Sequence, residues 1–423
     1  MAVGEEGSLA TRVIRHYERR SCGSALTHTC IDLFSGAGGL ADGFRQAGFD
    51  VLSGTDIDCI AGATFRYNFP SASFFECPIS DLTGAELLSD ASLRPGDLDC
   101  LLGGPPCQSF SYNNHERSRR GARARLFRDY LRIVEALEPK CLVMENVPGI
   151  LTVGGGAVVE EIYDVLGDLG YECEGRILYA EEFGVPQARR RVFFVATRLG
   201  WQDALFPRGS AGPVLKPSAA ANPYVHRWVR EPGAPYRRAP GAWAAIGDLP
   251  SLGSAGGDDV ARYTRAPRTQ YQRLMRGDQV ELFNHVAPAL RTRMRALIGH
   301  VPEGGNWRDI PRRLLPAGMK RARKSDHTKR YGRLTKRGLC CTILTKIDPH
   351  WASYIHPVDD RAITVREAAR LQGFADHFRF VGPRSLQAVQ VGNAVPPPMA
   401  AAVARAVRAH IMSNGGQAHS HAA

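Results

Sequence analysis

The chain is predicted to be an α/β protein: a mainly parallel sheet with helices on both faces, plus a smaller loop-rich insert. Three observations predict it. Residues 28–200 alternate short apolar runs with helical stretches, the pattern of consecutive βαβ units. From about Phe206 to Pro349 the texture changes to Pro, Gly, Ala and Arg, with few strong periodic segments. Helical periodicity then resumes at Thr364–Gln372 and Pro397–His410. At 423 residues, 44% of them apolar, the chain is long enough for a full core and for two domains. The expected divisions are an N-terminal extension (1–27), the first part of the sheet domain (28–200), the insert (201–350), the second part of the sheet domain (351–412) and a polar tail (413–423).

Taken in order, the expected strands are Thr29–Leu33, Asp50–Thr55, Leu98–Leu102, Cys141–Glu145 and Val192–Ala196, with a helix at Arg128–Leu137. The first strand runs through Ile31-Asp32-Leu33 into Phe34-Ser35-Gly36-Ala37-Gly38-Gly39, a glycine turn that opens a helix. Such a turn lets backbone approach a ligand and aims N–H groups at its anionic end, although tight turns also use glycine for steric reasons alone. The second strand ends at Thr55-Asp56, which puts a carboxylate where a ribose diol would lie; a plain helix N-cap is equally common there. Together these features favour a nucleoside-bearing cofactor, and leave both nicotinamide dinucleotide and S-adenosylmethionine open.

The third strand is stopped by Gly103-Gly104-Pro105-Pro106, which delivers Cys107 at a strand end. An isolated cysteine is usually inert core, but two prolines leave this one little freedom, which suits a nucleophile. The fourth strand ends in Glu145, a carboxylate that is costly to bury unless paired or functional. Gln187, Arg189 and Arg191 alternate into the fifth strand and so share one face, with the arginines at its mouth.

Charge separates the two regions. The net formal charge is +12, yet residues 201–350 hold 27 Lys and Arg against 11 Asp and Glu, or +16, and the remainder is −4. A whole segment with this bias reads as a polyanion footprint, and nucleic acid fits it better than a membrane, because no amphipathic basic helix is present. No apolar run is long enough to span a bilayer, and Met1–Arg20 lacks the apolar core of a secretory signal, so a cytoplasmic location is expected. The ten cysteines include no CxxC pair, which fits neither a zinc cage nor a disulfide framework; no metal is expected.

These pieces, in this order, resemble the DNA cytosine-5 methyltransferases of bacterial restriction–modification type. The match includes the Phe34–Gly39 turn, Pro105-Pro106-Cys107-Gln108, Glu145-Asn146-Val147 and the Gln187/Arg189/Arg191 triplet. It continues through Arg361–Phe374 and closes at Gly392-Asn393-Ala394-Val395-Pro396. One departure is Ala375, where the family usually has proline; this touches only a local turn. The resemblance implies a Rossmann-like, S-adenosylmethionine-dependent methyltransferase domain and a target-recognition domain in the insert.

By this resemblance Phe34 stacks on the cofactor's adenine, and Gly36, Gly38 and Gly39 line its methionine end. Asp56 holds the ribose, Asp81 the adenine amino group, and Asn393 with Val395 the amino-acid moiety; Ile57, Leu82, Pro105 and Leu126 complete the cofactor site. Cys107 attacks carbon 6 of cytosine, Glu145 manages a proton at ring nitrogen 3, Arg191 binds the exocyclic oxygen and Arg189 supports that pocket. Residues Ser109–Arg125 form the loop that closes over DNA. Gln108, Ser109, Arg117 and Arg120 are expected to touch DNA, as are Arg323, Lys324, Arg330, Arg333 and Lys336 in the densest basic run, where Tyr331 is interleaved. The Thr364–Phe374 helix packs between the domains, and Gly392–Pro398 returns beside the Phe34 turn. Double-stranded DNA is the implied partner, with a companion restriction endonuclease and a monomeric enzyme. Two other readings remain open from sequence: a transfer-RNA methyltransferase, disfavoured by the large basic insert, and a DNA-binding module without activity.

Overall fold

In the strand His28–Leu33 (β1), residues Cys30 to Leu33 are all buried. A strand covered on both faces belongs at the centre of a parallel sheet. The computed structural model describes residues 28–106, 120–209, 225–226, 238–323 and 325–414, with the backbone alone at 120–125 and 225–226. The following strands are Phe49–Thr55 (β2), Ser73–Phe75 (β3), Cys100–Gly103 (β4), Cys141–Asn146 (β5), Glu172–Tyr179 (β6), Gln187–Ala188 (β7), Arg190–Thr197 (β8) and Val225–His226 (β9). The main sheet has the order β3-β2-β1-β4-β5-β8-β6-β9. Strands β1 to β5 pair in parallel, and β8 runs antiparallel between β5 and β6. The α/β class with a mainly parallel sheet is therefore what the molecule adopts. Strands β3 and β6, absent from the sequence reading, lack a continuous buried run, the signal by which a strand is recognised.

Strand order reverses between β1 and β4. In open sheets the crevice beyond the carboxyl ends at such a point is where ligands bind. Helices Gly39–Gln46 (α1), Cys59–Asn68 (α2), Gly84–Ala91 (α3), Arg120–Leu137 (α4) and Ala157–Asp168 (α5) connect the strands. After the insert come Val365–Gln372 (α6), Arg384–Asn393 (α7) and Pro397–Asn414 (α8). One apolar cluster holds Leu40, Ala41 and Phe44 of α1 with Met399, Val403 and Val407 of α8. The other face of the sheet buries Ile31, Leu101, Leu142 and Phe194 against Tyr130, Ile133 and Val134 of α4.

The insert joins this core at several points. Ala242, Ala245, Ile246, Leu249, Leu282 and Leu334 belong to the same apolar cluster as α1 and α8. A satellite core gathers Leu297, Ile298, Trp307, Leu315, Met319, Tyr331 and Ile355. Cys340–Cys341 pairs in parallel with β7, tying the end of the insert to the sheet domain.

Helix α6 lies between these parts, as the sequence predicts, and all eight of its residues are buried. Thr364 caps it reciprocally with Glu367. Glu367 also accepts two bonds from Arg361, at 2.8 and 2.7 Å. Arg370 joins Asp248 of the insert (2.5 Å) and Asp376 (2.6 Å), all three buried. Arg366 donates to the carbonyls of Phe283 and Phe378. Buried charge is tolerated only when paired this fully. Ala375 accepts from Arg366 and from the Phe378 N–H, so the local turn keeps its bonds without proline.

Candidate active site

The crevice beyond β1 and β4 is a cavity of about 860 Å³, within the range of small-molecule sites. Its first wall is the turn after β1. Phe34 sits there at φ 56°, a left-handed conformation that costs a non-glycine residue about 1–3 kcal/mol and clusters at functional sites. The Ser35 N–H donates to the Thr55 carbonyl (2.9 Å) and the Gly36 N–H to Asp56 Oδ2 (2.8 Å), which locks the turn onto the end of β2. Asp56 Oδ1 accepts from the Asp58 N–H at 2.9 Å. Burial raises the Asp56 pKa, and these backbone donors oppose it.

The second wall comes from the C-terminal part of the chain. A Cβ on Gly39 would lie 2.7 Å from the Val395 carbonyl oxygen and 3.0 Å from the Ala394 Cβ, so this close approach requires glycine. The Gly392–Val395 segment therefore returns beside the Phe34 turn, as the sequence predicts. Asn393 and Val395 both line the cavity, with Phe34, Gly36, Gly39, Asp56, Ile57, Pro105 and Leu126.

The third wall carries the charge. Glu145, at the end of β5, meets Arg191 of β8 across a 2.6 Å Nε–Oε1 contact, and both side chains are almost buried. Oε1 thus has a guanidinium as its immediate charged neighbour. Burial raises the Glu145 pKa, partly offset by Arg191 and Arg189. Next to it, Asn146 Nδ2 donates to the Pro105 carbonyl (3.2 Å) while its Oδ1 accepts from the Val147 N–H (2.8 Å). The Gly104 N–H donates to the Leu33 carbonyl (3.3 Å). Residues 104–106 are thus pinned to both neighbouring strands, and Pro106 lines the cavity.

Several expected site residues are placed otherwise. Arg189 does not face the cavity: it is 1% exposed, and its guanidinium donates to the carbonyls of Ile343, Gly392 and Ala394. Arg333 is likewise withdrawn from any phosphate, donating to the carbonyls of Val301, His356, Asp359 and Ile298 and pairing with Asp360. Tyr331 is buried in the satellite core, its hydroxyl 2.7 Å from His350 Nδ1. Leu82 is core, and Asp81 is exposed outside the cavity lining, where Cys77, Pro78 and Ile79 stand instead. Gly38 caps α1 at φ 92° and sits outside the lining, against Phe69.

Arg323 and Lys336 are exposed, and Arg330 is half-buried over the Trp351 ring. Cys107, Gln108, Ser109, Arg117 and Lys324 lie outside the described residues, and Arg120 is described by its backbone at the start of α4.

Two residues that the motifs include were given no role of their own by the sequence reading. Asn146 holds the Pro105 carbonyl. Asp32, buried in the cavity wall, accepts from the Ala41 N–H (3.2 Å), and burial pushes its pKa up to about 8, helped by Asp56 and Glu145. Its signal was available: a carboxylate inside an apolar strand, the argument already applied to Glu145.

Comparison with known proteins agrees with this geometry. A family model described as C-5 cytosine-specific DNA methylase matches residues 28–409. Type II methyltransferase M.AgeI of Thalassovita gelatinovora is 32% identical, over 90% of this chain and 99% of its own length. Type II methyltransferase M1.HphI of Haemophilus parahaemolyticus is also 32% identical, over 90% of this chain and 86% of its own. A solved structure of a putative DNA modification methyltransferase encoded within an E. coli prophage aligns at TM-score 0.68 and 24% identity, covering 91% of this chain and 99% of that one. A DNMT2 mutant of Spodoptera frugiperda aligns at TM-score 0.55 and 15% identity, covering 90% and 99%. At those identities the two structures speak to the fold alone. With its cavity at the switch point and a family match spanning nearly every described residue, the chain belongs to the C-5 cytosine-specific DNA methylases.

Proposed function

We propose that this DNA cytosine-5 methyltransferase binds S-adenosylmethionine along the Phe34–Gly39 turn and an extruded cytosine against Glu145 and Arg191, within one cavity. One observation carries the reading: a buried carboxyl of raised pKa, paired with an arginine, opens into the same cavity as the Gly36–Asp56 turn. The residues fit the cofactor. Phe34 and the 71% exposed Ile57 offer apolar surface for an adenine. Each Asp56 oxygen keeps a free lone pair for a ribose hydroxyl after its backbone bond. Asn393 and Val395 are available to the amino-acid end. When bound, S-adenosylmethionine supplies an electrophilic methyl group.

The chain's own residues make the cytosine able to accept it. Carbon 5 is a weak nucleophile until the Cys107 thiolate adds to carbon 6 and turns the ring into an enamine. Glu145 holds a proton at nitrogen 3 and balances the charge that addition pushes there. Arg191 donates to the exocyclic oxygen. Loss of the carbon-5 proton then expels the thiolate. None of these groups reaches a base inside a stacked duplex, so the base must be flipped out, at a cost of a few kcal/mol.

Residues 201–350 act as the target-recognition domain, with Gln108, Ser109, Arg117, Arg120, Arg323, Lys324, Arg330 and Lys336 toward DNA. The Type II relatives support a role in protecting a site from a companion restriction endonuclease, and the enzyme works as a cytoplasmic monomer. Among the described residues, no helix is long and apolar enough to cross a membrane.

DNA carrying 5-fluorocytosine tests the nucleophile, because fluorine cannot leave as a proton does. Wild type is expected to form a denaturant-resistant adduct, and Cys107→Ala to form none while still binding the cofactor. Normal methylation by the alanine variant would overturn the assignment.

A further inference from the structure

Three segments far apart in the chain meet on a knot of buried side chains. Arg189 donates to the Ile343 carbonyl (3.0 Å) and to the carbonyls of Gly392 and Ala394 (2.9 Å each). Gln372, at the end of α6, donates to that same Ala394 carbonyl (2.6 Å), and its Oε1 accepts from Gln187 Nε2 (2.5 Å). Gln187 Oε1 in turn accepts from the Ile343 N–H (2.9 Å), which closes the circuit. Gln187, Arg189 and Gln372 are each no more than 1% exposed.

What the knot joins is functional on each side. The Gly392–Val395 turn lines the cavity and presses on Gly39. The Thr342–Leu344 segment belongs to the basic insert, and the Tyr354 hydroxyl staples it, accepting from the Leu344 N–H (2.8 Å) and donating to the Thr342 carbonyl (3.0 Å). Leu344 remains 45% exposed while its backbone abuts Gly392. Two residues beyond Arg189, at the start of β8, Arg191 meets Glu145. A shift in either segment must therefore move the other or break buried hydrogen bonds.

We infer that Arg189 and Gln372 are positioning residues that couple the two substrates. They hold the cofactor-side turn and the edge of the insert in one register, so occupancy of either side favours the arrangement the other needs. The inference rests on reading the cavity as the joint site for S-adenosylmethionine and cytosine. Such coupling is reciprocal by thermodynamic necessity.

The test measures DNA affinity with and without S-adenosylhomocysteine, the demethylated product, so that no turnover intervenes. Gln372→Met keeps the volume and removes the hydrogen bonds. Arg189→Lys keeps the charge and loses the fork that spans the carbonyls. Tyr354→Phe, the mildest variant, removes only the staple on Thr342 and Leu344. Wild type is expected to bind DNA at least about 5-fold tighter with the product present. Gln372→Met and Arg189→Lys should show less than about 2-fold, with Tyr354→Phe between, and a larger change in DNA KM than in kcat. Should the two buried substitutions prevent folding, Tyr354→Phe alone decides. Wild type that binds product and DNA independently, or folded variants that keep the full effect, overturns the inference. Wild type with no affinity for the product overturns the reading of the cavity beneath it.

Discussion

Glu145 and Asp32 are both buried carboxyls in the wall of one cavity, and burial raises the pKa of each. Their surroundings separate their roles. Glu145 has Arg191 and Arg189 as cationic neighbours, which oppose the effect of burial and suit the proton-exchanging role proposed for it. Glu145→Gln should lower kcat by roughly 10²–10⁴ while leaving cofactor affinity nearly unchanged, as single-turnover assays and equilibrium binding would show. Asp32 accepts from the Ala41 N–H at the start of α1 and has no cationic neighbour among the groups that shift it. Its pKa is higher folded, about 8, than unfolded, so the folded state holds the proton more tightly. Its contribution to stability is complete below the unfolded value and is lost as pH rises toward about 8. Asp32→Asn should remove this dependence. Relative to wild type, the variant should gain up to about 4 kcal/mol between roughly pH 5 and pH 8, measured by denaturant unfolding across that range. Equal pH profiles for the two proteins would show that Asp32 is not held protonated.

At the scale of single elements, α6 shows how much buried charge one helix can carry. Its arginines reach outward to carbonyls and carboxylates of the insert and of the chain after the helix, so the helix braces both parts. Removing one partner leaves the others buried and uncompensated. Arg370→Ala takes the guanidinium from buried Asp248 and leaves Asp376 with only the longer Arg366 contact (3.8 Å) and the Tyr263 hydroxyl, and should cost about 3–5 kcal/mol, seen as a lower midpoint in chemical denaturation. The effect has a pH signature. Arg361 holds the Glu367 carboxyl, and Arg370 the Asp376 carboxyl, below the usual carboxylate range. Their stabilisation is present above the ordinary carboxylate pKa and is lost as pH falls through the depressed values. Wild type should thus lose stability in acid over a range where Arg370→Ala, already without its pair, loses less.

For the whole molecule, the +16 charge of residues 201–350 sets the expected interaction with DNA, but folding decides which charges take part. Arg333 shares the densest basic run with Arg323 and Lys336, yet its guanidinium is used inside the protein, between the insert and residues 356–360. DNA affinity should fall steeply with salt. Arg323→Ala and Lys336→Ala should each lower the slope of log affinity against log salt by about 1, without changing thermal stability. Arg333→Ala should instead destabilise the protein, through lost bonds to four carbonyls and to Asp360. Titrations at several salt concentrations, read beside melting curves, distinguish the two classes.

The order of motifs along the chain determined the α/β class, the glycine turn after β1, the carboxylate at 145 and the family, because each is a local pattern: a strand run, a glycine turn, a stopped strand end. The helix at Thr364–Gln372 was also legible, since caps and apolar periodicity are local, whereas the return of Gly392–Val395 to Gly39 was implied only by the family resemblance. Strands β3 and β6 were not, because their half-covered faces carry no continuous apolar signal. Nor could the sequence sort its arginines. Arg189, Arg191, Arg323 and Arg333 carry the same group, and what each one does depends on which carbonyls, carboxylates or solvent lie within a few ångströms. Those neighbours come from distant parts of the chain, such as Ile343 and Ala394 for Arg189, and only tertiary structure brings them together.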